Sequence, residues 1–215
     1  MRFVVLVGLL LPAVVGAQAR VSHDSSASTV HGDLRLHDFP SRVFGNSRKL
    51  RVLVPDEYDA PQNRERHYPV LYLNDGQNLF DSTTSMFNPM EWRVDETVHA
   101  LVTAGRISPM IVVGIDNAGR QGRFHEYFPY ADRYLRPPDP DPQGKRYPEF
   151  LVDEVLPFIE SRYRVQRDPS QRGIGGSSAG ALAAIYAVVG RPGVFGRLLI
   201  ESPSLYLDEG HVFRD

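Results

Sequence analysis

The chain has 215 residues, 23% of them charged and 42% hydrophobic, with a formal net charge of -2. That balance belongs to a globular protein able to bury a core and excludes a disordered chain; the interspersed signs exclude the basic footprint that nucleic-acid binding needs. With no cysteine present, a disulfide framework, a thiolate metal site and a cysteine nucleophile are excluded as well.

In chain order, Arg2 precedes an apolar run from Phe3 to Val15, which meets Gly16-Ala17-Gln18-Ala19. The run is shorter than the roughly 20 residues of a bilayer-spanning helix, and small-x-small is the pattern that signal peptidases cleave. Residues 1–19 therefore read as a signal peptide cleaved after Ala19, residues 20–29 as a polar, flexible mature N-terminus, and the product as secreted or periplasmic with no stable membrane span; an uncleaved anchor tethered by residues 20–29 is the alternative. From Val30 to Asp215 no linker, repeat or charge block divides the chain, so residues 30–215 form one domain.

Leu34-Arg35-Leu36 and Leu50 to Val54, separated by Phe44-Gly45-Asn46-Ser47, predict an antiparallel strand pair at a sheet edge. Pro69 to Leu73 predicts a buried strand leading into Asp75-Gly76, Trp92 to Ala104 a helix, and Met110 to Ile115 another buried strand. Asp116 to Tyr147, crowded with Pro137, Pro138, Pro140, Pro142 and several tyrosines, reads as one long loop of the kind that covers sites. Leu151, Val155, Phe158 and Ile159 share one face of a helix over Phe150 to Tyr163, in which Pro157 is expected to cause a kink. Arg172 to Gly175 predicts a strand, Ala181 to Val189 a helix ending at Gly190, and Arg197 to Ile200 a last short strand. Strands alternating with helices predict an α/β fold with a mostly parallel sheet.

The densest chemical signal is Gly176-Ser177-Ser178-Ala179-Gly180, which closes a short apolar strand and opens a long apolar helix. In so tight a turn the central serine takes a strained backbone conformation, and only very small residues, here Gly176 and Gly180, fit two positions on either side. The strain aims the Ser178 hydroxyl out of the sheet, and the helix behind it offers free N–H groups and a positive dipole end to a developing oxyanion. Ser178 is thus a candidate nucleophile for acyl transfer.

Four segments in order, Tyr72 to Phe80, Arg123 to Pro129, Gly175 to Gly180 and Ser202-Pro203-Ser204-Leu205, resemble the esterases of the α/β-hydrolase fold. That group includes enterochelin-type siderophore esterases, S-formylglutathione hydrolases, feruloyl esterases and mycolyltransferases, and the resemblance runs over most of the mature chain. It implies an α/β-hydrolase fold, Ser178 as nucleophile, and the backbone N–H groups of Ala179 and Gln77 as the oxyanion hole. Arg123 with Tyr127 forms either a substrate-facing wall or, with Glu126, an ion pair and an aromatic that pin the long loop. The tyrosines at 127, 130, 134 and 147 either line an acyl or aryl pocket or lie at loop surfaces.

A serine nucleophile needs a histidine base, and the histidine needs a carboxylate to hold its tautomer. In the family both follow later strands, so the resemblance places them beyond residue 215 and the C-terminal part of the domain is expected to be missing. Asp208 and His211 come in the right order but read as a solvent-exposed turn or helix start; His125 stands nearer the expected pocket but precedes the serine and has no role in the family, and His67 and His99 read as surface or core histidines. Ending the sheet after Ile200 is expected to expose an edge and apolar faces. The function expected is that of an exported serine hydrolase cleaving a small-molecule carboxylic ester through an acyl-serine intermediate, without metal or cofactor. An acyltransferase of the same fold and a non-catalytic exported binding protein or decayed hydrolase are the alternatives.

Overall fold

A computed structural model describes residues 27–132, 135–207 and 210; residues 1–19, read above as a signal peptide, and Tyr134, Asp208 and His211 lie outside them. β1 (Asp33–Ser41) and β2 (Asn46–Val54) pair antiparallel through all nine positions, Asp33 opposite Val54 and Ser41 opposite Asn46. β3 (Val70–Asn74), β4 (Ile111–Ile115), β5 (Arg172–Ser177) and β6 (Arg197–Glu201) complete a six-stranded sheet in the order β1-β2-β4-β3-β5-β6. The last four strands run parallel to one another, whereas β2 joins β4 antiparallel. The mixed sheet flanked by helices is the α/β-hydrolase arrangement expected from the sequence.

Side chains alternate across a strand, so each strand contributes to two layers. Val70, Tyr72, Val113 and Ile174 face one way and join the main core with Tyr147, Phe150, Ile159 and the apolar side of α5 (Ala179–Gly190). Leu53, Leu73 and Val112 face the other way into a smaller cluster with Leu79, Phe80 and, from α1 (Val94–Thr103), Val94 and Val98.

Two expectations are corrected. Residues 116–147 are not one irregular loop, because Gly119–Tyr127 forms a helix, α2. Its apolar side is confined to the last turn, where Phe124 and Tyr127 join the main core, and a buried charge holds it as well, with the Glu126 carboxylate paired at 2.7 Å to Arg48 of β2. The helix over 150–163 does not simply kink at Pro157: α3 (Tyr147–Glu149) runs into a π turn (Phe150–Val155) and then α4 (Leu156–Glu160). The wide turn carries a Leu156 N–H to Leu151 carbonyl bond just before a residue that has no N–H to donate.

Candidate active site

The site gathers at the carboxyl ends of β3, β5 and β6, where open α/β sheets place their ligands. Ser178 sits between β5 and α5 with φ 56 and ψ -119, a left-handed conformation that a side-chain-bearing residue adopts only when its surroundings enforce it. Those surroundings are identifiable. Ser178 N–H donates to the Glu201 carbonyl at 3.0 Å, and the Ser178 carbonyl accepts from Ser204 N–H at 3.2 Å. A Cβ on Gly176 would meet the Gly180 carbonyl carbon at 2.7 Å, and one on Gly180 would meet Asp75 Oδ2 at 2.9 Å, so the chain closes this tightly only because both positions are glycine. The Ser178 side chain is exposed, and its Oγ lies 3.2 Å from Ser204 Oγ.

Beside it, Asp75 ends β3 in a left-handed conformation (φ 61, ψ 44) and caps the 3-10 turn Gly76–Asn78, which contains Gln77. Asn74 Nδ2 donates to the Gly180 carbonyl at 2.7 Å and Tyr147 donates its hydroxyl to Asn74 Oδ1, tying the end of β3 to the first turn of α5. Gln77 is fixed by its own side chain, whose Oε1 accepts Asn117 N–H at 3.2 Å. The two backbone groups expected to form the oxyanion hole thus stand on neighbouring strand ends, Ala179 as first residue of α5 and Gln77 inside the 3-10 turn.

Arg123 reaches from α2 to Asp75, Nε to Oδ1 and Nη2 to Oδ2, both at 2.7 Å, and its Nη2 also donates to the Ser177 carbonyl at 3.3 Å. This fork is the bidentate arrangement that adds geometric specificity to charge. The ion pair that pins the loop segment is therefore Arg123 with Asp75, while Glu126 pairs with Arg48. Arg123 lines the groove in front of Ser178. Tyr127 does not: it is fully buried, its ring edge-on to Tyr147 and its hydroxyl accepting Asp75 N–H at 3.3 Å. Burial pushes its pKa well above the usual tyrosine value, so it stays a neutral hydroxyl supporting the wall from behind. Tyr147 is likewise buried, and Tyr130 pairs with Tyr186 at 3.0 Å, so neither lines an acyl pocket.

The groove measures about 620 Å³. Its polar end holds Ser178, Asp75 and Arg123, and its flanks are apolar, with Phe87, Trp92 and Leu199 among them. Glu201 also faces it, accepting from Ser177 Oγ and Ser202 Oγ, and these bonds hold its carboxyl below the usual range. Among the described residues no histidine lines the groove: His37 bonds Tyr163, His99 faces Asp56 and His125 faces Asp139. No metal-binding cluster of three or more His, Asp or Glu side chains occurs among the described residues either.

The pairing of Asp75 with Arg123, and the placing of Ser204 and Glu201 beside Ser178, are not legible in the sequence alone. The Ser202-Pro203-Ser204 motif was the available signal for the last two.

Residues 41–210 match the Esterase family model, described as "Putative esterase". The uncharacterized protein YbbA of Bacillus subtilis is 25% identical over 157 residues, 71% of this chain and 55% of that protein. The iron(III) enterobactin esterase of Dickeya dadantii is 26% identical over 198 residues, 91% of this chain and 39% of that protein. Among solved structures, the BES protein from Bacillus cereus superposes with a TM-score of 0.65 at 20% identity, covering 86% of this chain and 66% of that one. The chain thus spans about half or less of the length of these two relatives. With the family model covering most of the chain and the serine turn at the end of β5 inside the match, the chain belongs to the esterase family.

Proposed function

We propose that this chain is the nucleophile-bearing part of an exported serine hydrolase that cleaves carboxylic esters through an acyl-serine intermediate. The observation that carries the proposal is the exposed Ser178 hydroxyl, presented in a strained turn at the N-terminus of α5. Ser178 Oγ attacks the ester carbonyl carbon and passes its proton to a histidine outside the described residues. The tetrahedral oxyanion accepts hydrogen bonds from Ala179 and Gln77 N–H groups. Collapse expels the alcohol, which takes the proton from the imidazole, and water then releases the acid by the same steps in reverse roles. The apolar flanks of the groove receive an apolar part of the ester, and Arg123, already paired to Asp75, shapes its polar end. Export rests on the apolar Phe3 to Val15 run; no helix of the described residues is long and apolar enough to cross a membrane.

The test is to treat the protein, purified at the full length that its gene encodes, with a fluorophosphonate probe, map the adduct by mass spectrometry, and measure hydrolysis of p-nitrophenyl acetate. A phosphonylated Ser178 with turnover that Ser178→Ala abolishes is expected; a folded protein with neither overturns the assignment. The 3.2 Å contact of Ser178 Oγ with Ser204 Oγ, in place of an imidazole, favours a second reading as a non-catalytic binding protein. In that case Ser178→Ala leaves ligand binding unchanged. An acyltransferase would instead show product partition toward an added alcohol.

A further inference from the structure

Residues 82–91 lie between the 3-10 turn Gly76–Asn78 and α1 and form no helix or strand. This loop folds back onto the turn. Thr84 Oγ1 donates to the Gln77 carbonyl at 2.8 Å, Met86 N–H to Asn78 Oδ1 at 2.8 Å, and Trp92 N–H, just past the loop, to the Asn78 carbonyl at 2.9 Å. The Gln77 carbonyl stands one peptide unit from the Gln77 N–H, so the direction of that N–H follows the position of the loop. Yet the backbone bonds within the loop reach only three or four residues along the chain, Ser85 N–H to the Asp81 carbonyl and Met90 N–H to the Phe87 carbonyl among them. They do not tie its beginning to its end.

The tie comes from residues 28–31. The Thr29 hydroxyl accepts Ser82 N–H at 2.9 Å and donates to Glu91 Oε1 at 2.6 Å. A hydroxyl has one proton to give and lone pairs to receive, so this single side chain closes the loop at both ends. On either side of it, Ser28 Oγ donates to Asp81 Oδ2 at 2.8 Å and His31 N–H to Asp95 Oδ2 at 2.6 Å, which fixes the course of the segment. Ser82 is buried, and burial pushes the Glu91 pKa up while the Thr29 bond pulls it down. Removing the hydroxyl would leave both of its partners unsatisfied.

We propose that Thr29 is a positioning residue for ester cleavage: its hydroxyl clasps the loop 82–91 against the 3-10 turn and so aims the Gln77 N–H at the oxyanion. The inference rests on the reading of Ser178 as nucleophile and of Gln77 N–H as oxyanion donor. Thr29 does not line the groove, and it precedes residues 41–210, which match the family model. Its effect on the reaction therefore runs through the loop.

The test uses the protein at the full length that its gene encodes. Thr29→Val keeps the side-chain shape and removes both roles of the hydroxyl, Thr29→Ser keeps the hydroxyl, and Ser28→Ala removes only the neighbouring bond to Asp81. Hydrolysis of p-nitrophenyl acetate and phosphonylation of Ser178 are measured for each, with rates normalised to the folded fraction from urea unfolding. A misplaced oxyanion donor slows the chemical step more than it weakens binding. Thr29→Val is thus expected to lower kcat and the phosphonylation rate constant by about tenfold to a hundredfold with KM within about twofold. Thr29→Ser and Ser28→Ala are expected to stay within about threefold of wild type. Amide exchange at Ser82 and Met86 is expected to quicken in Thr29→Val and not in Thr29→Ser. Wild-type rates in Thr29→Val, an equal loss in Thr29→Ser, or a change in KM alone overturns the positioning role and leaves Ser178 as the labelled nucleophile. A wild type that is not phosphonylated at Ser178 overturns the underlying reading, and this role with it.

Discussion

On the face of the sheet that carries Tyr72 and Ile174, α5 and the helical run from Tyr147 to Glu160 close a core in which Tyr147, Phe150, Leu151 and Leu182 are fully buried. On the face that carries Leu71 and Leu199, α1 covers β3 and β4, and the surface in front of β5 and β6 stays open as the groove. Ser178 lies at the rim between the two. The closed face supplies the rigidity that holds a strained serine, and the open face supplies room for a ligand, so one strand end serves both needs.

The largest test of that contrast is a pair of truncations. Leu182→Ala removes a fully buried side chain from the closed face and is expected to destabilise by about 2–5 kcal/mol. Leu71→Ala, a partly exposed residue lining the groove, is expected to stay within about 1 kcal/mol. Urea unfolding measures both, and equal losses would mean that the open face is packed in solution.

Next comes the joint between the faces. Gly176→Ala drives a Cβ into the Gly180 backbone, 2.7 Å from its carbonyl carbon, whereas Gly180→Ala meets side-chain atoms of Asp75 and Asn74 at 2.9 and 3.1 Å. Backbone yields less readily than side chains, so Gly176→Ala is expected to cost about 1–3 kcal/mol and Gly180→Ala less. The reverse order in thermal unfolding would show that the Arg123-held Asp75 carboxylate is the stiffer obstacle.

The open face also carries a titrating carboxyl. Asp95, near the start of α1, is buried and accepts His31 N–H at 2.6 Å. Burial, helped by neighbouring Glu96, raises its pKa from 3.8 to about 7. A raised folded-state pKa means that the fold favours the protonated form. Its stabilising contribution is complete below about pH 4 and is lost as pH rises toward 7. Asp95→Asn keeps an acceptor for His31 and removes the titration, so the midpoint temperature of the variant is expected to gain on wild type between pH 4 and pH 8. A constant difference across that range would assign the effect to packing alone.

What was readable in the sequence follows the same division. Strands β3 and β4 announce themselves by apolar runs, β5 by the turn-like Asp168-Pro169-Ser170 before it, and the serine turn by glycine spacing, because all three signals are local. Helix α2 is not readable: its apolar residues, Phe124 and Tyr127, fall only in its last turn, and two of the groups that hold it, Asp75 for Arg123 and Arg48 for Glu126, lie 48 and 78 residues away in sequence. The contact of Ser204 with Ser178 was hidden for the same reason, since only the pairing of β5 with β6 brings residue 204 to the nucleophile.

The smallest effect concerns the π turn on the closed face, for which the sequence offers two causes. Pro157 lacks an N–H and clashes with a regular preceding turn, which is reason enough to widen it. Packing offers the other: the Glu154 carboxylate accepts Ser41 Oγ at 2.8 Å, Arg42 N–H at 2.9 Å and Val43 N–H at 3.3 Å, which fixes its direction toward the turn between β1 and β2. A regular helix would rotate residue 154 relative to residue 159 by about one position, roughly 100°, and break those bonds or unseat Ile159. Pro157 itself is exposed and holds no such contact. Packing should therefore keep the wide turn when the proline is removed. Pro157→Ala is expected to change stability by less than about 1 kcal/mol and to leave slow amide exchange at Leu156 intact. A shift of several kcal/mol with exchange redistributed through residues 150–156 would instead make the proline the cause and Glu154 its beneficiary.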